Sequence, residues 1–311
     1  MSIWAAVVFR LVLPAVVPAA EAFVSTNRPA PRGWVWTATR GDAEIVLVGT
    51  VHAGPVGDDR LPLEVARRWP DTTRLAVEVD MGDASRIAAA VASLGVYPPD
   101  SVGLDGRLDL ELRRRVERVV GKAAPAPWRM KPWMLANTIV VAHMARWGLA
   151  PAFGVEALLL ARARADGKAV VEIETVETQL RVFDGAPEAI QLAYLDETVR
   201  ALDTGQARHD IDRILAAHFA GDADALEQLY EDFASRPGRA ERHFHRHLIV
   251  GRNAGMIEAI DRLARDGGRT MVAVGALHYP GPEGILAGLR GRGYEVRPVG
   301  ASAPAGAGAS R

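Results

Sequence analysis

The 311-residue chain contains no cysteine. Disulfides, a thiolate nucleophile and cysteine-held zinc or iron–sulfur sites are therefore excluded. The absence does not fix the compartment, because a chain this long buries enough surface to be stable without crosslinks. An excess of either charge is missing too: 37 Lys and Arg stand against 38 Asp and Glu, a net charge of −1. Nothing in that balance draws the molecule to nucleic acid or to an anionic membrane surface, so any partner must be recognised by a local site. No glycine-rich loop has phosphate-cradle or dinucleotide spacing, and no serine sits in a nucleophile-elbow pattern.

What is present is ordinary globular composition, 49% hydrophobic and 24% charged, enough for one large core or two small ones. Ile3 to Val17 is almost wholly apolar, broken by Arg10 and Pro14, and leads through Pro18 to Ala19-Ala20-Glu21-Ala22. Ala20 and Ala22 stand where a signal peptidase requires small side chains. Residues 1–22 therefore read as a signal peptide cleaved near Ala22, and the protein as exported to the periplasm. A missing positive n-region leaves an uncleaved N-terminal anchor or a misplaced start as alternatives. The apolar run is short for a bilayer span, and no later segment is long enough. Residues 23–33 read as a linker, and residues 300–311, rich in Ala, Gly and Ser, as a disordered tail.

Between them, residues 34–299 read as one α/β domain. Trp34 to Thr39 and Glu44 to Val51 flank the turn Arg40-Gly41-Asp42 as a β-hairpin. Further strands are expected at Arg74 to Asp80, Ala169 to Thr175, Arg269 to His278 and Tyr294 to Val299. Helical spacing covers Leu61 to Trp69, Ala84 to Leu94, Arg107 to Val120, Trp128 to Trp147, Val155 to Ala165 and Pro282 to Arg290. A helix-only stretch, about 176–266, breaks at Gly185, Gly205, Gly221 and Pro237. Alternating strands and helices predict a mostly parallel central sheet with an edge hairpin, flanked by helices. The helical stretch forms a lid or insertion between two halves. The motif order also suggests a coarse mirror of the two halves, or a coincidence among short motifs.

The chemistry-bearing residues gather at strand ends. Gly49-Thr50-Val51-His52 closes an apolar strand, and Gly275-Ala276-Leu277-His278 repeats the arrangement. Ligand sites in open α/β sheets lie beyond the carboxyl ends of strands, and Gly49 and Gly275 permit close backbone approach there. A single strand-end His is commonly a hydrogen-bonded core residue. Two in the same setting favour a metal-ligating or proton-accepting pair. Glu78 alternates onto the face opposite Leu75 and Val77, on a strand expected to be central. Buried there, it requires a cation, a metal or hydrogen-bond donors. For Glu78, and for Glu174 beside Ile173, a structural ion pair is the alternative to a functional role. His243 and His247 share a helix face but lie among arginines, which fits a solvated basic face. His143 reads as a core residue, and Trp128, Trp133 and Trp147 as packing for their helix.

These motifs together resemble the TraB/GumN family, related to the metal-dependent Tiki proteases. The matched features are Gly49 to His52, Glu78, Lys131-Pro132-Trp133, Gly154-Val155-Glu156, Lys168, Glu174-Thr175 with Gln179, Arg252-Asn253 with Met256, and Gly275 to His278 with Gly281 and Gly284. Glu156 replaces the more usual Asp, and Tyr279-Pro280 an apolar residue, which bears on the rim of the site. The resemblance implies a metallohydrolase in which His52, Glu78 and His278 hold a divalent ion (Mn²⁺, Co²⁺ or Zn²⁺) and a water, acting on a peptide or small-molecule substrate. Arg252 would either steady an oxyanion or pair with Glu78 or Glu174. Gly49, Gly275, Glu174, Asn253 and Lys131 would support the site, Asn253 by organising a helix–strand contact. Two alternatives follow from the wider superfamily: a haem- or ligand-binding protein using His278 and Tyr279, and a metal-independent esterase-like hydrolase in which Glu78 and a His activate water.

Overall fold

The computed structural model describes residues 29–120 and 127–300. The expected signal peptide, most of the linker and all but the first residue of the tail lie outside the described residues. Among the described residues no helix is long and apolar enough to cross a membrane.

The hairpin forms as expected. β1 (Trp34–Arg40) pairs antiparallel with β2 (Ala43–Thr50), Arg40 facing Ala43 across the turn. Gly41 takes the positive φ of 57° that this two-residue turn demands, which a side chain would resist. Beyond it, β4 (Arg74–Val77), β6 (Ala169–Glu172), β7 (Thr270–Gly275) and β8 (Glu295–Pro298) join a six-stranded mixed sheet of order β6-β4-β7-β2-β1-β8. Four neighbours, β6, β4, β7 and β2, run parallel. β7 is buried along its whole length, as an interior strand covered on both faces must be, and reads TMVAVG accordingly.

The hairpin is not at the edge. β8 (Glu295–Pro298) pairs antiparallel with β1 and takes that position. β4 is shorter than the apolar run suggests: it stops at Val77, so Glu78 stands just past the strand end, one strand in from the sheet's edge. A minor pair of two-residue strands, β3 (Gly54–Pro55) and β5 (Leu149–Ala150), ties the chain after β2 to the region before α5.

Outside the helix-only stretch the helices are α1 (Leu63–Arg68), α2 (Ala84–Leu94), α3 (Leu110–Val120), α4 (Pro132–Arg146), α5 (Val155–Ala165) and, after β7, α12 (Ile285–Gly291); α5 packs on β4 and β6, and α12 on β8. The helix-only stretch holds α6 (Val176–Asp184), α7 (Glu188–Asp203), α8 (Gln206–Ala220), α9 (Ala223–Ala234), α10 (Arg239–Phe244), a π-helical segment His245–Val250, and α11 (Gly251–Arg265). Its breaks fall at the glycines and proline that the pattern marks. Trp133, Phe183, Tyr194 and Phe244 stack with ring centroids 4.8–5.9 Å apart and bind α4, α6, α7 and α10 into one layer. Trp128 and Trp147 are only half-buried, and His143 is half-buried rather than core, its Nδ1 within 2.9 Å of the Ile139 carbonyl oxygen.

Candidate functional site at the carboxyl edge of the sheet

Four parallel strands end side by side, and each delivers one candidate residue: β2 His52, β7 His278, β4 Glu78 and β6 Glu174. The pairing of Thr50 with Gly275 is what brings the two Gly-x-x-His motifs together from opposite ends of the sequence. Their convergence is measured at Gly275. A methyl group there would lie 3.1 Å from His52 Nε2, 3.1 Å from Glu78 Oε1 and 3.6 Å from His278 Cδ2. A side chain at Gly275 would press on three polar groups at once, so glycine leaves them room to converge. Gly49 is tight as well, against Trp34 and Ala276.

Each imidazole is oriented from behind. Asn253 donates through Nδ2 to the Glu283 carbonyl (2.8 Å), so its Oδ1 faces His278 Nδ1 at 2.7 Å. Nδ1 must then carry the proton, and Nε2 presents its lone pair to the site. Asn253 thus positions His278 as well as joining α11 to the chain after β7. His52 Nδ1 lies 3.4 Å from Glu156 Oε2, which favours the same tautomer, and Nε2 has no partner although buried. Glu156 reaches it because Gly154 lets the start of α5 press onto the His52 backbone. A Cβ on Gly154 would be 2.6 Å from the His52 carbonyl carbon, and Val155 N–H donates to the Val51 carbonyl (3.0 Å). Burial in the apolar surroundings pushes His278 down to about 3, so it is neutral at ordinary pH. Thr50 Oγ1, beside His52, is a second buried polar atom without a partner.

Beneath the imidazoles lies a buried ionic cluster. Glu78 Oε1 accepts the Gly275 N–H (2.7 Å), and Oε2 accepts Gln179 Nε2 (2.9 Å) and Arg252 Nη2 (2.5 Å). Burial would raise the Glu78 carboxyl. The Arg252 guanidinium, the two imidazoles and the Gly275 N–H outweigh it and hold the carboxyl well below its usual range. A group so acidic is a poor general base at neutral pH. Arg252 also donates through Nε to Glu174 Oε2 (2.9 Å), through Nη1 to the Leu248 carbonyl (3.0 Å), and reaches His278 Nε2 at 3.4 Å. Two carboxyls thus share one guanidinium, and Gln179 bridges both. The pairing alternative for Arg252 is therefore the observed one, to both glutamates together. The π-helical segment, a widening frequent at functional sites, immediately precedes Arg252 and supplies Leu248.

Two expected contributors stand elsewhere. Lys131 pairs with Asp184, tying α4 to the end of α6, because its long side chain finds a carboxylate there. Tyr279 is fully buried and turned from the site: its ring stacks on Trp36 at 4.9 Å and its hydroxyl donates to the Val48 carbonyl (3.1 Å). The short 3₁₀ turn Ala276–His278 rotates it away from its neighbour's direction. Tyr279 therefore neither rims the site nor offers a haem ligand. Gln179, Glu156 and Thr50 are participants that spacing alone did not assign a role.

As they stand, no three His, Asp or Glu side chains among the described residues are arranged to hold a metal ion. Arg252 occupies Glu78 Oε2 and lies 3.4 Å from His278 Nε2. The donor chemistry nevertheless fits a divalent ion: two imidazoles with Nε2 turned inward, each anchored through Nδ1 as metal-ligating histidines are, one with its lone pair unpartnered, and an ionised carboxylate beside them. Above the imidazoles opens a cavity, with Thr50, His52 and His278 on its floor and apolar side chains of α4, α8, α9 and the π-helical segment around it.

The sequence profile of the TraB/PrgY/gumN family matches residues 34–298. The uncharacterized protein YbaP of Escherichia coli (strain K12) is 24% identical over 249 residues, covering 79% of this chain and 87% of its own. YbaP of Shigella flexneri matches with the same identity and coverage. No solved structure gives a significant match.

Proposed function

The chain belongs to the TraB/PrgY/gumN family, and from that membership and the geometry above we propose that it is a hydrolase of amide or ester bonds whose centre is His52, Glu78 and His278. The observation that carries this is the convergence of His52 Nε2, Glu78 Oε1 and the His278 ring on the space above Gly275. His52, His278 and Glu78 would hold a divalent ion, which would lower the pKa of a bound water and polarise a carbonyl. The chain's own groups have separate tasks. Glu156 and Asn253 keep both Nε2 lone pairs directed inward. Thr50 Oγ–H is free to donate to a substrate carbonyl oxygen. Arg252, buried between Glu78 and Glu174, holds both carboxylates ionised and fixes Glu78 beside the imidazoles. Helices α8 and α9 serve as a lid that keeps bulk water from the strand ends.

A metal-independent hydrolase is the second reading, favoured by one observation: Arg252 and Gln179 already occupy Glu78 Oε2. In that case His52, whose Nε2 has no partner among the described residues, accepts the water's proton, and Glu78 only orders the cluster. Turnover separates the two. Activity abolished by exhaustive chelation, restored by adding back Mn²⁺, Co²⁺ or Zn²⁺, and absent in His52→Ala supports the metal reading. Undiminished turnover after chelation selects the second, and a folded protein inactive on every amide and ester under both conditions ends the hydrolase proposal. Export belongs to the same proposal and is tested by N-terminal sequencing of the protein recovered from the periplasm.

A further inference from the structure

The cavity above the imidazoles has a chemistry that restricts what can occupy it. Ile211 and Leu215 of α8, Leu226 and Leu229 of α9, Ile249 of the π-helical segment and Leu277 line its walls, and among the described residues no charged side chain does. Polar side chains occur only on the floor: Thr50, His52 and His278. Two atoms of that floor, Thr50 Oγ1 and His52 Nε2, are buried without a hydrogen-bond partner. The space is thus polar at one end and apolar everywhere else.

A peptide seated there would bring a backbone N–H and C=O with every residue, and the walls hold no side chain to satisfy them. Each unpaired amide buried this way costs about 1–3 kcal/mol. A chain with one polar end and a hydrocarbon body has no such penalty. α8 presents Ile211, Ile214 and Leu215 at helical spacing to this space, as a wall built for apolar contact requires.

We propose that the occupant is a single fatty-acyl chain, its carbonyl end on Thr50 and His52 and its alkyl body between α8 and α9. This deepens the hydrolase reading and rests on it only for the statement that the acyl group is cleaved. The acyl carbonyl could arrive as an ester or as an N-acyl amide; the chemistry recognised is the same.

The test separates binding from turnover. Saturated fatty acids of six to fourteen carbons are titrated calorimetrically against the full chain, beside a hexapeptide of Leu and Val. Affinity is expected to rise about fourfold per added methylene until the cavity is filled, with the peptide at least tenfold weaker than the best acid. Ile214→Glu, at a half-exposed wall position that tolerates a charge in the fold, is expected to abolish the length dependence while leaving the thermal midpoint nearly unchanged. Affinity independent of chain length, or a peptide that binds as tightly as the best acid, overturns the proposal. So does an unaltered length dependence in Ile214→Glu. Turnover on decanoyl p-nitrophenyl ester and on N-decanoyl p-nitroanilide distinguishes the two sources of the acyl group. Length-dependent binding with no turnover of either leaves the acyl site standing and sinks the hydrolase; turnover without length-dependent binding does the reverse.

Discussion

Substituting Gly275 by alanine probes the site with one methyl group. The backbone there has φ −50° and ψ 131°, which alanine adopts freely, so any loss comes from the side chain alone. The added Cβ meets His52 Nε2 and Glu78 Oε1 at 3.1 Å each, closer than ordinary van der Waals contact. Glu78 is pinned on its other oxygen by Arg252 and Gln179, so it can give way only by lengthening the 2.7 Å bond from Gly275 N–H. A hydrogen bond to a charged acceptor contributes about 1.5–3 kcal/mol. Alanine recovers about 0.4–1 kcal/mol by restricting the unfolded chain. The net expectation is a loss of about 1–2 kcal/mol in urea denaturation with an unchanged m-value. Turnover should fall as well, about tenfold, because the contacts push reacting groups by a few tenths of an ångström from their productive geometry. A Gly275→Ala protein with wild-type stability and wild-type turnover would refute the claim that these three side chains share one space.

Acid should destabilise the fold through its buried histidines. Burial lowers His218 to about 4 and His278 to about 3. Below about 6.5 the unfolded chain takes up protons that the folded one refuses, so stability falls as pH drops from about 6.5 toward 4, by up to about 4 kcal/mol at pH 5. Urea midpoints against pH check this, and His218→Phe should remove about half the slope; a flat profile between pH 7 and 5 would contradict it. Arg252→Met leaves the buried Glu78 and the half-buried Glu174 without their cation and should cost about 3–5 kcal/mol, partly recovered when both glutamates become glutamine. An Arg252→Met protein as stable as wild type would show that the cluster is not ionic. Lys131→Met removes a half-exposed pair with Asp184 and should cost less than about 1 kcal/mol with no change in turnover. A loss comparable to that of His52→Ala would return Lys131 to the site.

Much of the site is written locally. His52 and His278 announce themselves because each ends an apolar run at a glycine, and Glu78 because a carboxylate follows LAV on a strand that must be buried. That the two histidines meet is not local: it follows from β2 and β7 being neighbours in the sheet. Glu156 has no recognisable spacing from His52, since their contact depends on the backbone approach that Gly154 allows. Tyr279 misleads for the opposite reason. Adjacent to His278 in sequence, it is turned by one 3₁₀ step into the core under Trp36. The hairpin's place within the sheet was illegible because the short, half-exposed strand Glu295–Pro298 carries a strand pattern but nothing that names its partner. Arg252 offered two roles in sequence. Only the fold shows one guanidinium held between two strand-end glutamates.

Metal content per chain tests the central claim most directly. Purified protein is equilibrated in turn with Mn²⁺, Co²⁺ and Zn²⁺, freed of loose ion by gel filtration and submitted to elemental analysis, beside His52→Ala, His278→Ala and their double variant. The account predicts about one retained ion per wild-type chain with at least one of these metals, and none in the double variant, all four proteins being folded by circular dichroism. A folded wild-type protein that retains no ion, or a double variant that retains as much as wild type, would contradict it.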